Sequence, residues 1–167
     1  MIIVVTCILT LVIYILVLYN VIIKQILSIQ HSKSLIDVYL SQRFDLIPNL
    51  VECVKTYTIY EKNLFEKITK LRIDYFNDKE LIKGGILDTE INKTILILEN
   101  YPELKANEQF SALQKNLTKM ENQIQAARRI YNNDVEKYNR TISIFPNNIV
   151  AKILQFKKEA FFEMEEQ

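Results

Sequence analysis

From Ile2 to Ile23 the chain carries no charged residue and is dominated by Ile, Val and Leu, with Tyr14, Tyr19 and Asn20 as its bulkiest polar-tipped members. As a helix rising about 1.5 Å per residue, such a run is long enough to cross about 30 Å of hydrocarbon. A cleaved signal peptide would want a basic start, a shorter apolar centre and a small-x-small cleavage site, none of which is present, so the pattern predicts a retained anchor over residues 1–24. Lys24 and Lys33 follow the run, with Arg43 further on, and no Lys or Arg precedes it. The positive-inside bias therefore places the amino end outside and residues 25–167 in the cytoplasm.

Beyond the anchor a second pattern begins: Ile36, Leu40, Arg43, Ile47, Leu50, Val54, Tyr57, Glu61, Leu64, Ile68, Leu71 and Tyr75 recur in alternating steps of four and three. That is the seam of a helix packed lengthwise against others, interrupted only by Arg43 and Glu61. Pro48 inside it removes a backbone donor and crowds the preceding turn, which predicts a bend near Phe44 to Ile47. The pattern fades at Asn77-Asp78, and Gly84-Gly85 marks a natural point for the backbone to leave the helix.

A shorter segment from about Leu87 to Asn100 carries Ile91, Ile95 and Leu98, with Asp88 as its expected N-cap and Pro102 beyond its end. The cleanest stripe follows: Phe110, Leu113, Leu117, Met120, Ile124, Ala127, Tyr131, Val135, Tyr138 and Ile142, with Asn107 placed to cap it. Phe145-Pro146 closes that helix, and Asn147 is placed to cap a last one burying Ile149, Ile153, Phe156 and Ala160. No segment sustains strand alternation. The prediction is an all-α protein: one N-terminal transmembrane helix, then an antiparallel bundle of three long helices and one short one. Whether the short helix doubles back or continues in line is left open by the pattern.

Composition sharpens this picture. Two glycines and three prolines in 167 residues leave few turn-makers for a sheet-rich fold. A net charge of +1 with interleaved signs gives no basic face for nucleic acid. Cys7 lies in the apolar run and Cys53 far beyond it, which argues against a bridge between them, and too little precedes Cys7 for a lipoprotein signal. His31, the single histidine, sits in the polar stretch after the anchor without a second to join it, so neither a metal centre nor histidine acid–base chemistry is expected. With no phosphate loop, CxxC pair or nucleophile elbow, the sequence reads as a non-enzyme with no cofactor.

Two polar sets lie beside the seams. Glu121, Arg128, Asn132 and Asn139 are separated by seven, four and seven residues and share one helical face, and Arg43, Asp45 and Asn49 form a second group. They suit an inter-helix polar network or partner site, costly to bury unless every group is paired. A solvated face is the competing reading, and periodicity alone favours it.

The run Leu35-Ile36-Asp37-Val38-Tyr39-Leu40-Ser41-Gln42-Arg43-Phe44-Asp45-Leu46-Ile47-Pro48-Asn49-Leu50-Val51, followed by Tyr101-Pro102-Glu103-Leu104-Lys105-Ala106-Asn107, closely resembles bacterial LemA-family proteins. Glu121, Ala127-Arg128-Arg129-Ile130-Tyr131-Asn132, Tyr138-Asn139, Phe145-Pro146-Asn147, Phe161-Phe162-Glu163 and Tyr19-Asn20 are similar to further motifs of that family, so the resemblance covers nearly the whole chain. Two departures stand out: Gln42-Arg43 replaces an Arg-Arg pair, and the stretch from His31 to Ser34 lacks a tryptophan. The resemblance implies an anchored helical bundle in a bacterial membrane, acting as a scaffold or interaction protein, with no agreed catalytic residue or cofactor. It also implies that Arg43, Asp45, Asn49, Glu121, Arg128, Asn132 and Asn139 matter as motif positions, which turns the balance toward a bundle network.

The expected function is a membrane-tethered interaction module whose partners are the bilayer, through residues 2–23, and other membrane proteins or copies of itself. The alternatives are a receptor-like bundle binding a small ligand or lipid headgroup at a polar inter-helix seam, and an accessory subunit of a membrane enzyme.

Overall fold

The computed structural model describes residues 1–55 and 62–162, and among them there are seven helices and no strand. The helices are α1 (Ile2–Phe44), α2 (Ile47–Val54), α3 (Lys62–Asp78), α4 (Leu81–Leu98), α5 (Pro102–Lys105), α6 (Glu108–Ser143) and α7 (Asn147–Ile153). The seam positions Tyr57 and Glu61 lie outside the described residues. The chain divides into two compact units, one of residues 1–34 and 128–162 and one built on residues 35–127, and α1 and α6 each contribute to both.

In the first unit, α1 and the second half of α6 run antiparallel: Gln25 donates to Thr141 Oγ1 at 2.9 Å, and Ser28 donates to Asp134 at 2.9 Å. The helix is unbroken through the polar stretch around His31, because no glycine or proline interrupts residues 24–44. Its buried seam starts inside the apolar run, at Leu18, and continues through Ile22, Ile29 and Ser32. Before Leu18 nearly every residue is exposed, including Leu9, Val12 and Leu16. Facing this seam, α6 buries Tyr131, Val135, Tyr138 and Ile142, four of its ten stripe positions.

The end of this unit differs from expectation. Asn147 is the first residue of α7 rather than its cap, and its side chain accepts a 2.6 Å hydrogen bond from the Tyr14 hydroxyl. Ala151 is the buried residue of α7, whereas Ile149 and Ile153 are 52% and 73% exposed. A two-turn helix with one buried alanine cannot hide both isoleucines. Residues 155–162 are not helical, so Phe156 and Ala160 are not its continuation.

In the second unit the seam over Ile36, Leu40, Arg43, Ile47, Leu50, Val54, Ile68 and Tyr75 is buried as the spacing predicts. The expected bend is a full stop at Phe44, a turn at Asp45-Leu46, and a restart with Pro48 in the first turn of α2, where its missing N–H costs nothing. The glycines mark no exit. The break falls at Lys79, whose φ of 48° is left-handed, and α4 runs straight through both glycines. Gly84 is needed for close approach: a Cβ there would lie 2.7 Å from Leu40 Cδ1 and 3.1 Å from the Tyr75 ring. α3 and α4 pack antiparallel, with Lys67 2.8 Å from Glu90, which holds that carboxyl below the usual range. α4 then doubles back against α6, pairing Asn92 with Glu121 and Glu99 with Gln114. Asn107 caps α6 as expected, its side chain accepting from the N–H groups of Gln109 (2.8 Å) and Phe110 (3.1 Å).

Tyr75 ties these helices together. Its ring meets Phe44 edge-on at 4.9 Å, and burial, aided by the Asp37 charge, pushes its phenol from 10.0 to about 12. A raised folded-state value stabilises the fold in full below pH 10.0, and this contribution is lost as pH climbs toward about 12, since the unfolded chain releases the proton first. Thermal unfolding between pH 9 and 12 is expected to show falling stability, and Tyr75→Phe, which keeps the ring, is expected to flatten much of that fall. Tyr131, Tyr138 and Cys53, which burial also pushes up, and Lys83, which its hydrogen bond to Asp78 holds up, share the remainder.

Candidate functional site

The seven polar motif positions do not form one network. They separate into a buried charge cluster in the second unit, a ladder on α6 in the first, and two outlying residues.

Arg43 anchors the cluster and is fully buried. It faces the core because it occupies a seam position of α1, one step after Leu40. One guanidinium nitrogen donates to Asp88, and the other donates to Asn92 and lies 3.6 Å from Glu121. Asn92 in turn donates to Glu121 at 3.3 Å, as does Gln125 at 3.4 Å. Asp88 is thus no helix cap: it lies mid-helix in α4, 3% exposed, as the principal counter-charge of Arg43. The planar fork of arginine suits this task, since one nitrogen holds the acid of α4 while the other reaches both Asn92 of the same helix and Glu121 of α6. Glu121 keeps 30% of its side chain in solvent, so the cluster is closed at Asp88 and open at Glu121.

The sequence does carry a signal for Asp88 and Asn92. Gly84, Asp88 and Asn92 step by four along α4 beside Leu87, Ile91 and Leu98, so the acid falls in a line of buried positions. Asp45, expected in the network, instead bonds Arg72 at 3.1 Å with 63% of its side chain exposed, and Asn49 is exposed on α2. Both follow from the turn at residues 45–46, which rotates them away from the Arg43 side of the seam.

The ladder joins Asn132 and Asn139 to the extended segment 157–162. Asn139 donates its amide to the Glu159 carbonyl (2.8 Å) and accepts from the Glu159 N–H (2.9 Å). Asn132 repeats the pairing on Phe162, at 3.2 and 2.8 Å. Beside them the Tyr138 hydroxyl donates to the Lys157 carbonyl (2.7 Å) and the Tyr131 hydroxyl to the Ala160 carbonyl (3.1 Å). Arg128 completes the row, its guanidinium 4.6 Å above the Phe162 ring. Each asparagine thereby reads both main-chain groups of one residue, as a neighbouring strand would. Tyr131 and Tyr138 were legible only as stripe positions, because periodicity locates a ring but says nothing of the hydroxyl at its tip.

Among the described residues no group of three or more His, Cys, Asp or Glu is placed to hold a metal. Two open grooves of the second unit lie elsewhere than the cluster among the described residues, one along α6 beside Gln114, Thr118 and Asn122, the other between α2 and α3 beside Val51, Phe65 and Thr69.

Protein LemA of Metamycoplasma hominis is 27% identical over 144 residues, covering 83% of this chain and 66% of that protein. Two proteins of Paramagnetospirillum magneticum, magnetosome proteins MamQ 1 and MamQ 2, are each 22% identical over 175 aligned positions, covering 87% of this chain and 64% of theirs. The chain thus spans just under two thirds of the length of these relatives. The LemA family profile matches residues 32–167, a stretch that contains the Arg43 cluster and the whole asparagine ladder, and the chain belongs to the LemA family.

Proposed function

We propose that the chain is a membrane-tethered interaction module, held in the bilayer by the first half of α1 and presenting its helical units at the cytoplasmic surface. The observation that carries the reading is the change in α1 at Leu18: before it nearly every apolar side chain is exposed, and from it onward the same helix carries a buried seam. Exposed Leu, Val and Ile over Ile2–Val17 form about 24 Å of helix, most of a hydrocarbon thickness.

The corner between α6 and α7 supports it. Ile144, Phe145, Ile149 and Ile153 are 50–80% exposed, and the Tyr14–Asn147 hydrogen bond holds this corner level with a residue four positions inside the unpacked segment. That is the depth at which apolar side chains and tyrosine meet the headgroup boundary. Lys24 and Lys33 beyond the segment favour the cytoplasmic side for the rest of the chain.

Anchored proteins meet at high local concentration, so weak contacts suffice for association. Crosslinking in intact membranes followed by detergent extraction and capture of the tagged chain is expected to recover the same protein partners, or the chain itself, in each preparation. Recovery of the monomer alone at saturating crosslinker would defeat the interaction reading. A small-ligand receptor gains less support, because the Arg43 guanidinium is already directed at Asp88, Asn92 and Glu121.

A further inference from the structure

The ladder recognises a peptide backbone rather than a sequence. Four side chains of α6 engage main-chain atoms of residues 157, 159, 160 and 162, and the stacking of Arg128 on Phe162 is the one contact among these that reads a side chain. The dimensions match. Asn132 and Asn139 lie two helical turns apart, about 10.5 Å at 1.5 Å per residue, and three residues of extended chain from Glu159 to Phe162 span about 10 Å.

We propose that this face of α6 is a peptide site with an intramolecular occupant, and that the matching segment of a second copy can take the place of the chain's own tail. The site fits an extended segment with an aromatic residue three positions after the one that Asn139 pairs with, and the segment known to satisfy it is 157–162 itself. Exchange between copies keeps every ladder contact and so costs little beyond bringing two chains together. The tail is also suited to leave. It departs from α7 through Gln155, whose φ of 59° is a left-handed setting unfavourable for a residue with a Cβ, and Lys157, Lys158, Glu159 and Ala160 are exposed. Opening about Gln155 relieves that setting and uncovers the asparagines. The inference rests on the interaction-module reading for its high local concentration of copies, but the peptide site itself needs no bilayer.

Two complementary full-length variants test it. In Glu159→Pro with Phe162→Pro, the tail loses both N–H donors and the groove is intact, while proline still permits an extended chain. In Asn132→Ala with Asn139→Ala, the tail is intact and the groove is lost, and alanine preserves the helix. Circular dichroism of both should match the parent. In detergent micelles the proline variant should bind a fluorescent peptide of residues 157–162, and methylating the peptide's two ladder N–H groups should weaken binding about tenfold or more, as expected for two lost hydrogen bonds. Co-reconstituted in vesicles under different tags, the two variants should capture one another, and neither should capture itself. A methylated peptide binding as well as the parent would show that the backbone is not read. Peptide binding without capture between folded variants would rule out exchange between copies while leaving the anchor reading untouched, and loss of both variants from the vesicles would overturn the anchor instead.

Discussion

Replacing Arg43 with methionine is expected to destabilise the second unit by about 3–5 kcal/mol, the cost of leaving a buried charge without its partner. Asp88 would bear most of it, because it is 3% exposed and its counter-charge would be gone, whereas Glu121 still reaches solvent. Arg43→Lys should recover only part of the loss. A single ammonium cannot engage Asp88 on one side and Asn92 with Glu121 on the other, as the two guanidinium nitrogens do. The informative control is the double change Arg43→Met with Asp88→Leu, which removes both charges and refills the space with apolar atoms of similar size. If the cluster serves register rather than net stability, the double variant should regain most of what the single one lost. Denaturant unfolding followed by circular dichroism measures all three, and a change within about 0.5 kcal/mol for Arg43→Met would mean that Asp88 finds solvent after all.

How such a residue announces itself in the sequence is instructive. Arg43 stood out because it broke a four-three seam of otherwise apolar positions, and an interruption at a seam position is a statement about the core. Asp88 stands close after two glycines, where a short acidic residue has the pattern of a helix start although it lies mid-helix. Spacing cannot distinguish a glycine that frees the backbone from one that admits a neighbour, and Gly84 is of the second kind, with Leu40 and Tyr75 against it.

The tail failed for a different reason. Lys157 to Phe162 has helix-compatible composition, and nothing in its own pattern favours an extended chain. Its conformation is imposed from α6, where Asn132, Asn139, Tyr131 and Tyr138 supply the partners that a helix would have found within itself. The polar row of α6 was visible, including Arg128, but its division between a charge cluster at Glu121 and a backbone ladder further on depends on what faces each turn, which no single-helix pattern encodes. The same limit hid the exposure of Ile149 and Ile153, since periodicity records that side chains are apolar and not whether protein or lipid covers them.

The proposed lipid cover leads to the largest expected effect. Leu9 and Val12 are 59% and 46% exposed midway along the unpacked part of α1, so arginine at either position meets no protein and leaves the seam from Leu18 onward undisturbed. In a hydrocarbon surrounding each arginine near the centre of the span should oppose insertion by about 2.5–3.5 kcal/mol, and the pair Leu9→Arg with Val12→Arg by about 5–7 kcal/mol. In water the same changes should cost almost nothing, because exposed helix positions tolerate arginine well. The double variant is therefore expected to leave the carbonate-washed membrane pellet while keeping its helical circular dichroism, and the parent to stay. Leu27→Arg serves as the control: it is 57% exposed like Leu9 but lies past Lys24, beyond the proposed span, and should remain in the pellet with the parent. A double variant that stays with the membranes as firmly as the parent would place the hold on the bilayer somewhere other than α1, with the apolar corner at Ile144, Phe145 and Ile149 the next surface to charge.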